Sequence, residues 1–304
     1  MIGDLPSDVL LLIFKFFDFE TLKCLCSVSR KMKNVAESPS LWKTFQLKIS
    51  TANIKSLDEI LQLTRFSSLQ EIHFIACELS NENIRSLLRR GSVTSLVLGT
   101  GDVFERDCCV SQVDADLLGS LITRLSLLTI SNWDRENKLT QDQWKTLFKH
   151  MEKDESKLSG LEIISDQCCE DDKSVPSVLA KLEYLSISDQ AMLSFTKLFQ
   201  QMVTETNLQR LELLFTNLSN ISEELFSSAL AKIKHVDISY SSIKKNQLKH
   251  LFTKPLKIER FNHKNMKDEE GTFLSNILTK CEKKEIMQRA KSYNTRLEPS
   301  WCVF

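Results

Sequence analysis

Nine cysteines, five histidines and a few clustered carboxylates are the residues with which this chain would do chemistry. Cys108 and Cys109 are adjacent, as are Cys168 and Cys169, but no two cysteines form a C-x-x-C. A zinc ribbon needs paired ligands at such short spacings, and an odd cysteine count does not suit a disulfide framework; reduced, buried thiols are expected instead. A ubiquitin-accepting thiol at Cys108 or Cys109 would need a base or a helix N-terminus to become a thiolate. Arg106 is the only nearby cation there, with Asp107 beside it. The histidines are scattered, with no H-E-x-x-H. Gly99-Thr-Gly101 lacks the third glycine of a dinucleotide loop, and no G-x-x-x-x-G-K-[ST] occurs. Glu170-Asp171-Asp172 reads as a solvated loop. The expectation is a chain without catalytic residues, metal or cofactor.

Lys plus Arg and Asp plus Glu both number 40. No net field therefore draws the chain to nucleic acid or to an anionic membrane. The opening MIGDLPSD carries acids where a signal peptide carries bases, and the apolar run Val9–Phe14 stops at Lys15, so neither a signal peptide nor a membrane span is expected. Asn217 and Asn220 head glycosylation sequons that are idle without a secretory route. Cys302 falls one place short of the prenylation pattern. Nucleus or cytoplasm is the expected location.

What remains is binding, and the elements that would position it repeat. From Trp42 a unit Φ-x-x-Φ-x-Φ recurs with starts at Trp42, Leu69, Val93, Ile122, Leu158, Leu182, Leu208, Ile233 and Ile258. The steps are 27, 24, 29, 36, 24, 26, 25 and 25 residues, within the leucine-rich-repeat range except for one insertion-bearing step. Cys77 stands where that motif takes Asn or Cys. Helical patterns fill the intervals at Asn53–Leu63, Asn81–Arg90, Thr140–Met151, Gln190–Val203, Ser222–Ala231, Lys244–Phe252 and Asp268–Cys281. The predicted fold is an α/β solenoid, a curved array over 46–281 with parallel strands on the concave face and helices on the convex face. In the fourth unit, read as Ile122/Leu125/Leu127, the outward positions are Thr123, Arg124 and Ser126. Strand alternation aims Arg124, Tyr184, Arg210, His235 and Arg260 at the concave face as candidate substrate-binding residues. Leu128, Phe215 and Tyr240 would be apolar anchors at its rim, with Trp133 in a loop beyond. A mixed polar face of this kind suits an extended peptide. The tail 282–304, with Ile286, Tyr293, Leu297, Trp301 and Phe304, is too apolar for solvent; it should cap the array or fold back across it.

Ahead of the repeats, residues 1–45 show three helical patterns. Pro6 opens the first, which carries Val9, Leu10, Ile13, Phe14 and Phe17; Asp18 and Ser29 are placed to cap the second and third. Three helices this short bury too little to stand alone. The run LPSDVLLLIF, a second helix leading into VSRKMKNVA, and SPSLW together resemble an F-box from end to end. The chain is thus similar to F-box/leucine-rich-repeat proteins, and its ESPSLWKTFQL junction and Asn294–Val303 resemble the S-phase kinase-associated group among them. One departure is Met32, where the family usually has tryptophan. The resemblance implies adaptor-facing residues at Leu5, Pro6, Val9, Ile13, Phe14, Leu22 and Val28, with Trp42 at the joint. It implies a non-catalytic substrate receptor of an SCF-type ubiquitin ligase. Such a receptor binds a Skp-family adaptor, and through it a cullin and a RING subunit. Its target would be a phosphorylated protein of the cell-cycle-inhibitor class, read with a Cks-type accessory protein and marked for degradation. The alternative is a non-degradative F-box scaffold.

Overall fold

The computed structural model describes residues 4–17, 19–48, 57–75, 79–99, 112–132, 139–165, 178–188, 195–253, 256–262, 267, 280–292 and 295–297. Cys77, Cys108, Cys109, Trp133, Cys168, Cys169, the Glu170–Asp172 cluster and the tail beyond Leu297 lie outside these residues. So does most of the helix expected over 268–281.

Three short helices come first: α1 (Ser7–Phe14), α2 (Phe19–Leu25) and α3 (Arg30–Ala36). Ser29 caps α3, its Oγ accepting from the Met32 N–H at 3.1 Å. Leu10, Phe14, Leu22, Met32, Val35 and Ala36 are buried between them. Met32 is therefore packed where the family carries tryptophan, a task its unbranched thioether adapts to. Cys24 is an exposed free thiol and Cys26 a half-buried one, not the buried pair expected. Burial pushes the Cys26 thiol up and makes it less reactive.

From Thr44 the described strands alternate with helices, except between β5 and β6. In order these are β1 (Thr44–Lys48), α4 (Leu57–Gln62), β2 (Glu71–Ile75), α5 (Asn81–Arg90), β3 (Ser95–Leu98), α6 (Ala115–Ile122), β4 (Leu127–Asn132) and α7 (Gln141–Glu152). Then come β5 (Gly160–Ser165), β6 (Tyr184–Ser188), α8 (Phe195–Thr204), β7 (Arg210–Leu214), α9 (Glu223–Leu230) and β8 (His235–Asp237). Last are α10 (Lys245–Leu251), β9 (Arg260–Asn262), α11 (Lys280–Ser292) and β10 (Arg296–Leu297). All ten strands pair in parallel, in sequence order, in one sheet. Parallel neighbours in sequence order, joined by helical crossovers, make the α/β solenoid that the repeat predicts.

The register shows why the repeat is needed. Ile72, Leu96, Leu128, Leu161, Leu185, Leu211, Val236 and Phe261 lie side by side in consecutive strands, each buried. Two residues further along each strand, Phe74, Leu98, Ile130, Ile163, Ile187 and Leu213 form a second buried row. Each fully buried aliphatic side chain contributes roughly 1.5–3 kcal/mol, but only against its neighbours.

One repeat departs from the sequence reading. Leu128 pairs with Leu96 and Leu161, so the fourth unit runs Leu125/Leu128/Ile130, three residues later than expected. Both ITRLSL and LSLLTI satisfy Φ-x-x-Φ-x-Φ, and only packing chooses between them. In the later frame the steps on either side of Leu125 are 32 and 33 residues, so two neighbouring repeats are long where the sequence reading had one insertion-bearing step. Leu128 is core, not a rim anchor. Helix α6, absent from the sequence reading, fills the interval before this strand. Its Asp114 cap accepts from the Leu117 N–H at 2.8 Å. Gly119 within it lies against the His150 ring of α7, where a Cβ would stand 2.4 Å from Cδ2.

At the far end β10 pairs with β9, so the tail extends the sheet as its last strand. Glu282 of α11 bridges Lys245 (2.9 Å) and Lys249 of α10, tying the tail helix to the last full repeat.

Candidate functional site

The joint between the two parts is Trp42. Its Nε1 donates to the carbonyl of Ala36, closing α3, while its ring meets Phe66 edge-on at 5.5 Å. The Arg65 guanidinium sits 5.0 Å over the same ring. The indole thus serves the helical domain through its nitrogen and the first repeat through its face.

The helical domain exposes four large apolar side chains among its polar ones. Phe16 is 89% exposed, Val28 64% and Leu12 58%, with Val9 also exposed. Of the seven positions implied by resemblance, Pro6, Val9 and Val28 are exposed, and Leu5 and Ile13 are half-buried. Phe14 and Leu22 are instead buried in the domain's own core, at 1% and 3% exposure. From Val9 to Phe14 helix α1 is apolar throughout, and the packing divides it and the turn that follows. Leu10 and Phe14 face in, whereas Val9, Leu12 and Phe16, at i, i+3 and i+7, face out. That second stripe was the signal for Leu12 and Phe16.

On the solenoid, Arg124 is not on the binding face. In the corrected frame it precedes the strand, and its Nη1 donates to the Leu88 carbonyl in α5 at 3.0 Å. The same device recurs: Arg90 donates to Phe66 O, Lys181 to Glu152 O and Lys153 O, Asn207 to Ala180 O, and Lys232 to Val203 O. In each case a polar side chain ahead of one strand meets a carbonyl from the end of the preceding repeat's helical segment, which satisfies groups that helix ends leave unpaired.

The remaining candidates come together over β6–β9. Arg210, His235 and Arg260 occupy one register row, with Tyr184 beside Arg210 and the β10 position Arg296 beside Arg260. Glu212, Asp237 and Asn262 form the next row. The Arg210 guanidinium lies 4.9 Å over the Tyr184 ring, and its Nε donates to Glu212 Oε1 at 2.8 Å. Tyr184 Oη donates to Glu212 Oε2 at 3.2 Å. Burial, then Glu162 and Glu212, push the Tyr184 phenol far up, so it stays a protonated donor. Burial also raises the Glu162 carboxyl, against the hydrogen bond from Thr129 Oγ1 at 3.0 Å. Asp237 accepts from the Ser239 N–H and from Asn262 Nδ2, both at 2.9 Å. The side chains of β7, β8 and β9 line an open cavity of ≈ 270 Å³. Just past the strands, Phe215 and Tyr240 stack at 4.8 Å with planes 12° apart.

A three-helix domain with exposed apolar side chains, joined through the packed Trp42 to a parallel α/β solenoid, defines the class: an F-box-like domain followed by leucine-rich repeats. The F-box-like family model matches residues 2–48. Among solved structures, the leucine-rich repeat-containing protein LegL7 from Legionella pneumophila is similar over 90% of this chain and 93% of its own. It shares 12% identity, with a TM-score of 0.45. No curated protein matches the chain. No helix among the described residues is long and apolar enough to cross a membrane.

Proposed function

We propose that this chain is a non-catalytic substrate receptor of an SCF-type ubiquitin ligase, at work in the nucleus or cytoplasm. The observation that carries this reading is the exposure of the large apolar side chains Val9, Leu12, Phe16 and Val28 on an F-box-like domain. F-box domains as a class bind Skp-type adaptors, and large apolar side chains at the centre of an interface carry most of its binding energy. Through the adaptor the chain would meet a cullin and a RING subunit. The repeats would hold a target protein near the charged conjugating enzyme, turning a bimolecular transfer into a nearly unimolecular one. The packed contacts of Trp42 support that purpose, since a floppy link dilutes effective concentration. The family resemblance adds a phosphorylated target of the cell-cycle-inhibitor class and a Cks-type accessory protein.

Affinity purification with and without proteasome inhibition tests the reading. Adaptor, cullin and a target that accumulates on inhibition should co-purify. Absence of adaptor would overturn the proposal, and adaptor without any stabilised target would mark a non-degradative scaffold.

A further inference from the structure

The cavity over β7–β9 is balanced in charge, Arg210 and Arg260 against Glu212 and Asp237, but the two signs are not mixed. Arg210, His235 and Arg260 form one register row, and Glu212, Asp237 and Asn262 form the next row toward the strand ends. Within the acidic row the two carboxylates differ. Glu212 is neutralised by Arg210, which reaches across the rows to it. Asp237 accepts from two neutral donors, the Ser239 N–H and Asn262 Nδ2, both at 2.9 Å, and among the described residues it joins no ion pair. The Arg260 Nε donates to Asn262 Oδ1 instead, at 3.4 Å. A carboxylate held only by neutral groups keeps its charge for a ligand.

Beyond the acidic row stand Phe215 and Tyr240, stacked as an aromatic ledge. Both have left-handed backbones, φ 55° and 62°, which bulky side chains rarely adopt. A buried network holds the conformation. The Thr216 N–H donates to Ser241 Oγ at 3.1 Å, Ser241 Oγ donates to the Leu213 carbonyl at 2.7 Å, and the Ser242 N–H donates to the Thr216 carbonyl at 2.9 Å. Phe215 is 52% exposed and Tyr240 37%, so the rings gain little from burial where they stand. Strained backbone of this kind gathers at ligand clamps. Ser239 draws the ledge and the carboxylate together. Its N–H is bonded to Asp237, its carbonyl accepts from the Phe215 N–H at 3.5 Å, and Tyr240 follows it in the chain.

Resting on the receptor reading above, we propose that the Phe215–Tyr240 ledge and Asp237 together bind an arginine side chain on an extended segment of the target protein. Exposed aromatic rings beside an unneutralised carboxylate select this chemistry. An apolar side chain would cover the rings but strip water from Asp237 with nothing to replace it. A lysine ammonium would pair with the carboxylate yet has no plane to lay on a ring. A guanidinium does both, since its face stacks on an aromatic ring while its edge donates to a carboxylate. An acidic side chain at the same place would meet Asp237 as a like charge.

The probe is an immobilised library of short random peptides, each with one fixed residue, phosphothreonine included, overlaid with the full chain. Arginine should be the preferred fixed residue. The best arginine peptide, labelled with fluorescein, is then titrated by anisotropy beside its lysine and citrulline versions; citrulline keeps the planar group and loses the charge. Both should bind more weakly, citrulline by about tenfold. Asp237→Asn keeps an oxygen for the Ser239 N–H and should cost as much. Phe215→Gly and Tyr240→Gly delete the rings while suiting the left-handed backbone, so the fold is kept and binding should fall several-fold. Arg260→Ala should leave affinity unchanged or raise it, whereas an anion site would be lost. Preference for an acidic, phosphorylated or apolar residue, binding of no peptide, equal binding of the citrulline version, or unchanged affinity in Asp237→Asn or in both glycine variants would overturn the proposal. Melting temperatures check that each variant is folded. Adaptor co-purification, scored on the same preparations, reports separately on the receptor reading.

Discussion

Trp42 donates its indole hydrogen to the Ala36 carbonyl across the boundary between the helical domain and the solenoid. The ring is 2% exposed and also packs on Phe66, so one side chain couples two units. Trp42→Phe keeps most of the packing but leaves a buried carbonyl unpaired, at a cost of about 1–3 kcal/mol. Trp42→Ala should cost about 3–5 kcal/mol. Chemical denaturation checks both. An alanine variant as stable as the parent would show that the joint is not structural.

Phe14 and Phe16, two residues apart, face opposite ways. Phe14→Ala should lower stability by about 3–5 kcal/mol. Phe16→Ala should change it by less than about 0.5 kcal/mol. Adaptor co-purification should reverse the order among folded protein, with Leu12→Ala plus Phe16→Ala losing it at unchanged melting temperature. If that double variant still carries adaptor at parental levels, docking lies elsewhere.

Gly119→Ala tests the packing of α6 on α7. Alanine in a helix gains about 1 kcal/mol over glycine. Here the new Cβ would meet the His150 ring, which Asp116 (3.0 Å) and Lys153 (3.1 Å) hold in place. Displacing a packed ring costs about 1–3 kcal/mol. The net expectation is a lower melting temperature, and a rise would mean the ring moves freely.

Glu162 carries a pH signature. Its folded carboxyl titrates above the ordinary value because of burial and, secondarily, Glu212, although Thr129 opposes this. A raised carboxyl stabilises the fold below the unfolded pKa, and that contribution is lost as pH rises through the folded value. Glu162→Gln keeps an acceptor for Thr129 and removes the buried charge. It should stabilise the protein at neutral pH by no more than about 1 kcal/mol, and the gain should vanish in acid. Thermal melts at both pH values check the sign.

Much of this fold could be read from the chain alone, because hydrophobic period is local information. The spacing of Leu69, Ile72 and Phe74, repeated down the chain, placed the strands, and Ser29 placed the start of α3. The misreading at Ile122 had a physical cause. In an apolar run two overlapping frames satisfy the same pattern, and only the neighbouring strands select one. The shift took Arg124 off the binding face and moved Leu128 from the rim into the core. Helix α6 was hidden because Gly119 lowers helix propensity, and its compensation, the His150 ring, comes from a distant segment.

The sequence by itself determined the class of protein: a repeat that must stack to bury its leucines, headed by helices too short to stand alone. Tertiary structure decided which surface of each part is free. It turned Phe14 inward and Phe16 outward, committed Glu212 to Arg210, and stacked Phe215 on Tyr240 from separate repeats. Those outcomes depend on contacts between residues far apart in the chain, which no local pattern records.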